Sequence, residues 1–205
     1  MIDRTALLGK YMPAPAVPLI SAWIDQYQAI LKISKSRSTK LGDYRHPYLG
    51  QGHRISINFN LNPYAFLITL VHEFAHLVCY NQFKNKVKPH GGEWKAIFKF
   101  LMDPFMEMQI FPPELQKHLL KYLINPAASS CSDINLMRIL EKYDMPRPGI
   151  TFIEHIVYGA LFFTPDGRCF KKGEKLRKRF KCEEVATRRI YLFSPLAKVK
   201  QHLSD

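Results

Sequence analysis

Two histidines and a glutamate stand together in the segment HEFAH, residues 72–76. His72 and His76 are four positions apart, which places both imidazoles on one face of an α-helix, one turn apart. A catalytic Zn²⁺ site keeps three protein ligands and one open position, with imidazole nitrogens at about 2.0–2.1 Å from the ion. Glu73, one step around the helix from His72, is placed to act as a general base toward water. The motif therefore predicts a catalytic metal site on a helix.

The third ligand must come from outside this motif, and the segment KPHGGEW, residues 88–94, offers two candidates. His90 follows a connector that lets the chain turn back along the helix, and Gly91 and Gly92 permit a tight turn before the next helix. Glu93 is the alternative, as a carboxylate ligand; otherwise it caps the next helix or holds a ligand histidine in place. We prefer His90 as the third ligand of a single Zn²⁺ ion.

The helix that carries HEFAH has its own start signal. Asn62 is a good N-cap, and Pro63 suits the first helical position, where a missing N–H costs nothing. Apolar residues then recur at steps of three and four: Phe66, Leu67, Leu70, Val71, Phe74, Leu77 and Val78. A second helix is expected after HGG, ending at Asp103-Pro104. Both histidines of the motif thus lie on a long, mostly apolar helix.

The run LNPYAFLITLVHEFAHLVCYNQFKNKVKPHGGEWKAIF resembles the SprT-like family of zinc metalloproteases, which includes the Spartan proteases that act on DNA–protein crosslinks. HEFAH followed by PHGGEW is the most specific part of a similarity that covers roughly residues 15–103. The resemblance implies zinc ligands at His72, His76 and His90, a catalytic role for Glu73, and a packing role for Trp94. It also implies a zinc-dependent endopeptidase whose substrates are proteins held on DNA.

The predicted fold class is α+β, and residues 1–148 are expected to form a zincin-like metalloprotease core with a helical insert at about 104–146. LKIS, STKLGDYR and RISINFNL are predicted strands of a small antiparallel sheet beside the active-site helix. RISINFNL or its neighbour is expected to be the edge to which an extended peptide adds. Three further helices are predicted: PLISAWIDQYQAIL, PPELQKHLLKYLI, and SCSDINLMRILEKYDM with Ser132 or Asp133 as its cap.

Prolines at 146 and 148 mark the start of a small basic, β-rich C-terminal module, residues 149–205, with a turn at PDGR. Many SprT-like proteins end in a zinc ribbon with two C-x-x-C pairs, whereas this region holds only the unpaired Cys169 and Cys182. The module is therefore interpreted as a degenerate ribbon without its metal, held by aromatic packing. If KLRKRFK is a strand, one face of it presents four cations, which are Lys175, Arg177, Arg179 and Lys181. These residues are the candidate DNA contact; the alternative is a solvated strand face.

The formal net charge of +13 and a sequence pI near 9.6 favour an anionic partner, with nucleic acid first and an acidic membrane surface second. Widely spaced cysteines suit a reducing compartment, and no apolar stretch is long enough for a membrane span. We therefore expect a cytoplasmic zinc metalloendopeptidase that takes a protein or peptide substrate and contacts DNA. The alternative is a nucleic-acid-binding protein whose zinc site is structural or strictly gated. Metal-assisted hydrolysis of a non-peptide bond is a third, weaker interpretation.

Overall fold

A computed structural model describes residues 4–37, 40–127, 133–146 and 148–201. Over these residues the chain is α+β, with six α-helices and two β-sheets, which confirms the predicted fold class. It divides into two compact units, Met1–Asp144 and Met145–Asp205. Among the described residues, no helix combines the length and apolar character needed to cross a lipid bilayer.

The first unit contains all six helices and a three-stranded sheet. The helices are α1 (Arg4–Leu8), α2 (Val17–Gln26), α3 (Pro63–Phe83), α4 (Gly92–Glu107), α5 (Pro113–Ile124) and α6 (Ile134–Glu141). The strands are β1 (Ile30–Ser34), β2 (Gly42–Arg45) and β3 (Arg54–Asn58). Alternate residues of β3, Ile55 and Ile57, are buried in the same core as α3. The sheet therefore has one face on the core.

The sheet is mixed, with strand order β1-β3-β2, so the prediction of an antiparallel sheet is wrong. Strand β1 runs parallel to β3, and β2 runs antiparallel to it. The most buried strand of this sheet, β3, is central rather than an edge, and its Ile55 and Ile57 pack into the core. The neighbour, β2, is the edge strand of the described sheet on the side where α3 lies against it.

Three predicted boundaries are also wrong. Helix α2 ends at Gln26, and Ile30 belongs to β1, where its side chain is 59% exposed. Strand β3 ends at Asn58, so Phe59 lies outside it and is 52% exposed. Helix α4 continues through Pro104 to Glu107. Burial of Phe105 and Met106 stabilises that last turn despite the N–H that proline lacks.

Helix α3 begins as predicted. The Asn62 side chain accepts a hydrogen bond from the Ala65 N–H at 2.9 Å, and Pro63 occupies the first turn. The Asn62 amide also donates to the Leu140 carbonyl at 2.9 Å and to the Asp144 carboxylate at 2.6 Å. One buried side chain thus fixes the start of α3 and ties it to α6 and the residues that follow it. Asp133 caps α6, whereas Ser132 lies outside the described residues.

The second unit is a six-stranded antiparallel sheet. Its strands are β4 (Ile150–Phe152), β5 (Leu161–Phe163), β6 (Cys169–Lys175), β7 (Phe180–Glu184), β8 (Ile190–Phe193) and β9 (Lys198–Gln201), in the order β4-β9-β5-β6-β7-β8. Aromatic rings form much of its core, and Phe162 stacks on Phe170 at 5.6 Å between ring centroids. Cys169 and Cys182 are free thiols.

We predict that Asn62→Ala lowers the free energy of unfolding of the first unit by about 2 kcal/mol, because it removes a cap and two buried donors. The matched control is Asp133→Ala, which removes a cap bond alone and is expected to cost about 1 kcal/mol. Both tryptophans, Trp23 and Trp94, lie in the first unit, so urea unfolding followed by tryptophan fluorescence reports on that unit. Equal losses in the two variants would contradict the interpretation of Asn62.

Candidate metal centre

Three imidazoles from two parts of the chain converge at the side of α3. His72 and His76 lie on consecutive turns of α3, and His90 comes from the turn before α4. One ligand nitrogen from each lies within 4.8 Å of the other two, and the Nε2 atoms of His72 and His90 are 3.3 Å apart. Two nitrogens about 2.05 Å from a tetrahedral ion lie about 3.3 Å from each other. The distance between His72 and His90 therefore fits two ligands of one metal ion, and His76 is close enough to be the third.

The imidazoles are held in their neutral form. Burial lowers the pKa of His72 to about 2, with His76 and His90 adding to the effect. Burial also lowers the pKa of His76 to about 4, and lowers that of His90. A neutral imidazole has a free lone pair, so the histidines need lose no proton at neutral pH before they bind a cation.

The turn that presents His90 is tight. His90 itself takes a φ of +56°, in the left-handed region that non-glycine residues seldom occupy. The Gly91 N–H donates to the Lys88 carbonyl at 2.9 Å, and a Cβ on Gly91 would lie 3.0 Å from that same oxygen. Gly92 begins α4 in open space. Of the two glycines expected to permit the turn, Gly91 is therefore the one whose missing side chain matters.

Trp94 forms the floor of the site. It is buried, and its ring centroid lies 4.6 Å from that of His72, 5.2 Å from that of His76 and 4.7 Å from that of His90. Phe98, one turn further along α4, stacks on Trp94 at 5.1 Å. The packing role expected for Trp94 thus extends to all three histidines. Because dense packing restricts rotamers, this floor fixes the directions of the rings.

Glu73 lies beside the edge strand β2. Its carboxylate accepts a hydrogen bond from the Tyr44 backbone N–H, and a Cβ on Gly42 would lie 2.5 Å from its Oε1. Only glycine leaves room for the carboxylate at this place. Burial and, to a lesser extent, the nearby Asp43 together raise the pKa of Glu73 to about 8, against a lowering by the Tyr44 N–H. The carboxyl group without a metal is therefore poised to hold a proton near neutral pH.

Glu93, the alternative third ligand, is not part of the cluster. It is exposed in the first turn of α4, where its charge favours the helix N-terminus. Among the described residues, the group with metal-ligand spacing consists of the three histidines.

A pocket of about 230 Å³ opens beside His76 and His90. Tyr44, His46 and Tyr80 line it, together with lysines at its rim, and His46 stacks on Tyr80 at 4.7 Å. His46 lies far from HEFAH in the chain, so no spacing in the sequence connects it with the motif. A weak signal was available: Tyr80 is four residues after His76 and so must lie on the same face of α3.

The four basic residues proposed for DNA contact do not share a strand. Lys175 ends β6, Lys181 lies in β7, and the intervening residues form a turn closed by a 2.7 Å bond from the Leu176 N–H to the Arg179 carbonyl. The predicted stripe on one strand face is therefore wrong. The basic turn, which we define as residues 175–181, instead joins the end of β6 to the start of β7, with 176–179 exposed and Phe180 buried. Within it, the Lys181 Nζ atom lies 3.7 Å from the Glu174 carboxylate of β6.

Helix α3 carries two imidazoles and a glutamate, and the turn before α4 supplies a third imidazole. This arrangement belongs to the class of three-histidine sites built on a helix. The model of the SprT-like family matches residues 24–114, a segment that holds the sheet, α3, the His90 turn and α4. The resemblance stated from HEFAH and PHGGEW is confirmed for this segment. Searches of curated proteins and of solved structures gave no match.

We predict that the full-length chain, purified without added metal, contains about one zinc per chain by elemental analysis, and that His90→Ala removes most of it. The reason is that two imidazoles leave the ion without its third protein ligand. His118→Ala, on α5 and outside the cluster, is the control and should keep the wild-type metal content. An unchanged zinc content in His90→Ala would exclude His90 as a ligand and would favour Glu93 as the third ligand.

Proposed function

We propose that this chain is a zinc-dependent metalloendopeptidase with a zincin-like core, acting on DNA-associated proteins. The observation that carries the proposal is the convergence of His72, His76 and His90 beside a buried Glu73. The SprT-like family match supports it, since that match covers the whole cluster. DNA as the place where substrates are met is suggested by the formal net charge of +13.

His72, His76 and His90 would hold the ion, and Trp94 would keep the three rings in place. A bound zinc ion supplies Lewis acidity that polarises the scissile carbonyl and activates water at neutral pH. Glu73 accepts a proton from the attacking water as the new C–O bond forms. The same carboxyl group then gives that proton to the leaving amine as the C–N bond breaks. A pKa near the working pH suits a group that must do both.

The edge of β2 is the proposed place for the substrate backbone. The Leu41 carbonyl accepts from the Asn58 N–H at 2.9 Å, which identifies this opposite pair as hydrogen-bonded. Hydrogen-bonded and non-bonded pairs alternate in an antiparallel ladder, so Gly42 and Tyr44 point their N–H and C=O groups away from β3. The Tyr44 N–H indeed reaches Glu73. An extended peptide that adds here would meet the catalytic carboxylate through backbone contacts, with little side-chain preference.

We predict that Glu73→Gln lowers the rate of cleavage of a protein substrate by about 10²–10⁴-fold, the usual contribution of a general acid–base group. Zinc content and DNA affinity should stay at wild-type levels, because glutamine keeps the shape of the side chain and residue 73 is expected to contact neither the zinc ion nor the DNA. Glu93→Gln, at an exposed position on α4, is the matched control and should leave cleavage unchanged. Cleavage that survives in Glu73→Gln would remove the proposed base.

The second candidate is a nucleic-acid-binding protein whose zinc site is structural. The basic turn 175–181 favours it, because the side chains of Arg177 and Arg179 are exposed beside Lys175 and Lys178. The two candidates differ in one measurement. A structural site predicts that the zinc-loaded wild type cleaves no protein, with or without DNA, while the Glu73→Gln variant behaves as the wild type does.

We predict that DNA binding by the 205-residue chain weakens steeply as the salt concentration rises. The double variant Arg177→Gln/Arg179→Gln should make the negative slope of log K against log salt shallower by about two. The physical reason is that each cation that neutralises a phosphate releases a counterion. Fluorescence anisotropy of a labelled oligonucleotide measures both quantities. The double variant Lys99→Gln/Lys117→Gln removes the same charge from α4 and α5 and should keep the slope. A slope that does not change in the arginine variant would exclude the basic turn as a contact.

A further inference from the structure

The three-stranded sheet of the first unit has a second face, turned away from the core. Side chains alternate along a strand, so the neighbours of buried Ile55 and Ile57 point to this other face. A hollow of about 360 Å³ lies there, and we call its lining the basic sheet face. The residues that line it are Ile30, Lys32, Ser34, Arg37, Asp43, Arg45, Arg54, Ile55 and Ser56.

The charges of the basic sheet face are poorly balanced. Four cations line the hollow, and Asp43 is the acid among the described lining residues. Asp43 is already shared, at 2.8 Å from Lys40 and 3.1 Å from Arg45. Lys32 makes no ion pair with a described residue. The lining residues therefore carry a net positive charge, because one acid stands against four cations.

Two of these cations face each other directly. Arg45 of β2 and Arg54 of β3 are register partners. Like charges opposite one another in an antiparallel pair destabilise the sheet. The buried Arg54 Nε atom also has no hydrogen-bond partner among the described residues. An anion bound in the hollow would reduce the repulsion between the two guanidinium groups, because it supplies negative charge.

A third cation is held rigidly by neutral groups. The Arg37 guanidinium donates to the Asn58 side chain at 2.8 Å, to the Ser56 hydroxyl at 3.1 Å and to the Ser56 carbonyl at 3.2 Å. Asn58, 1% exposed, in turn donates to the Arg37 and Lys40 carbonyls at 3.1 and 3.0 Å. The charge is thus positioned without being cancelled. Such pre-organisation reduces the entropy that a ligand must overcome on binding.

We infer that the basic sheet face binds the phosphodiester backbone of a nucleic acid. Planar guanidinium groups suit phosphate oxygens, and several cations across adjacent strands suit a chain of phosphates rather than one. Ile30 is the large exposed apolar side chain of the lining, whereas surfaces that enter a membrane present several beside their cations. The hollow therefore favours nucleic acid over a lipid surface.

Nucleic acid bound to the basic sheet face would lie near the proposed catalytic site, and this part of the inference rests on the proposed function. Strand β2 presents Arg45 on the basic sheet face and the Tyr44 N–H to Glu73 at its edge. A nucleic acid on the face would therefore run beside the edge where the substrate backbone adds. Proteins attached to that nucleic acid would be held close to the catalytic carboxylate, whereas the cleavage of free proteins would not depend on the face.

The test uses the full-length chain with Lys32→Gln/Arg54→Gln, two changes outside β2. Anisotropy of a short labelled DNA duplex of mixed sequence is measured over a range of salt. We expect the negative slope of log K against log salt to become shallower by about two relative to wild type. Lys99→Gln/Lys117→Gln, with the same loss of net charge, should keep the wild-type slope. If the double variant folds poorly, Lys32→Glu at its exposed position should still weaken binding several-fold.

A wild-type slope in both Lys32→Gln/Arg54→Gln and Lys32→Glu would overturn the inference. So would loss of binding to phosphatidylserine vesicles in these variants while DNA binding stays intact. Cleavage of a DNA-free protein substrate separates this result from the proposed function. The basic-face variants should cleave it at the wild-type rate. If the wild type does not cleave it, with or without DNA, the peptidase proposal fails while the DNA measurement still decides the role of the face.

Discussion

Helix α3 is buried along most of its length, and the whole first unit is arranged around that burial. Fourteen of its residues are buried, and they include His72 and Glu73 as well as the apolar core. An ionisable group in such surroundings is stable only when it is neutral or has polar partners. The strands, the turn before α4 and the aromatic floor surround the helix. They supply either apolar packing or polar partners to its buried ionisable groups.

The two buried groups are accommodated differently. His72 stays uncharged and faces two other imidazoles, an arrangement with lone pairs close together and no described acid among them. Glu73 reaches the sheet edge, where one backbone N–H meets it. The histidine side is thus electron-rich and suited to a cation, and the glutamate side is suited to a proton. The difference arises because His72 lies on the flank of α3 that faces Trp94, whereas Glu73 lies on the flank that faces β2.

Local signals in the sequence predicted much of this. The start of α3 at Asn62 and Pro63 follows from capping, and the four-residue spacing of His72 and His76 follows from helical geometry. What could not be predicted depends on contacts between distant segments. The spacing of hydrophobic residues says that β3 is half buried, but not that it is central and partly parallel. The basic residues at 175–181 are equally compatible with one strand or with an exposed hairpin turn, and here the chain turns between β6 and β7.

The contact between Gly42 and Glu73 reaches beyond this one chain. The glycine stands on a short strand with no apparent chemistry, yet any larger side chain there would collide with the carboxylate oxygen at 2.5 Å. A chain that carries HEFAH but a bulky residue at the corresponding strand position cannot seat its glutamate in the same way. The helix motif alone is therefore an incomplete signature. A more discriminating sequence pattern would join the motif to a glycine on the edge strand, and would separate chains able to seat the carboxylate from those that keep only the histidines.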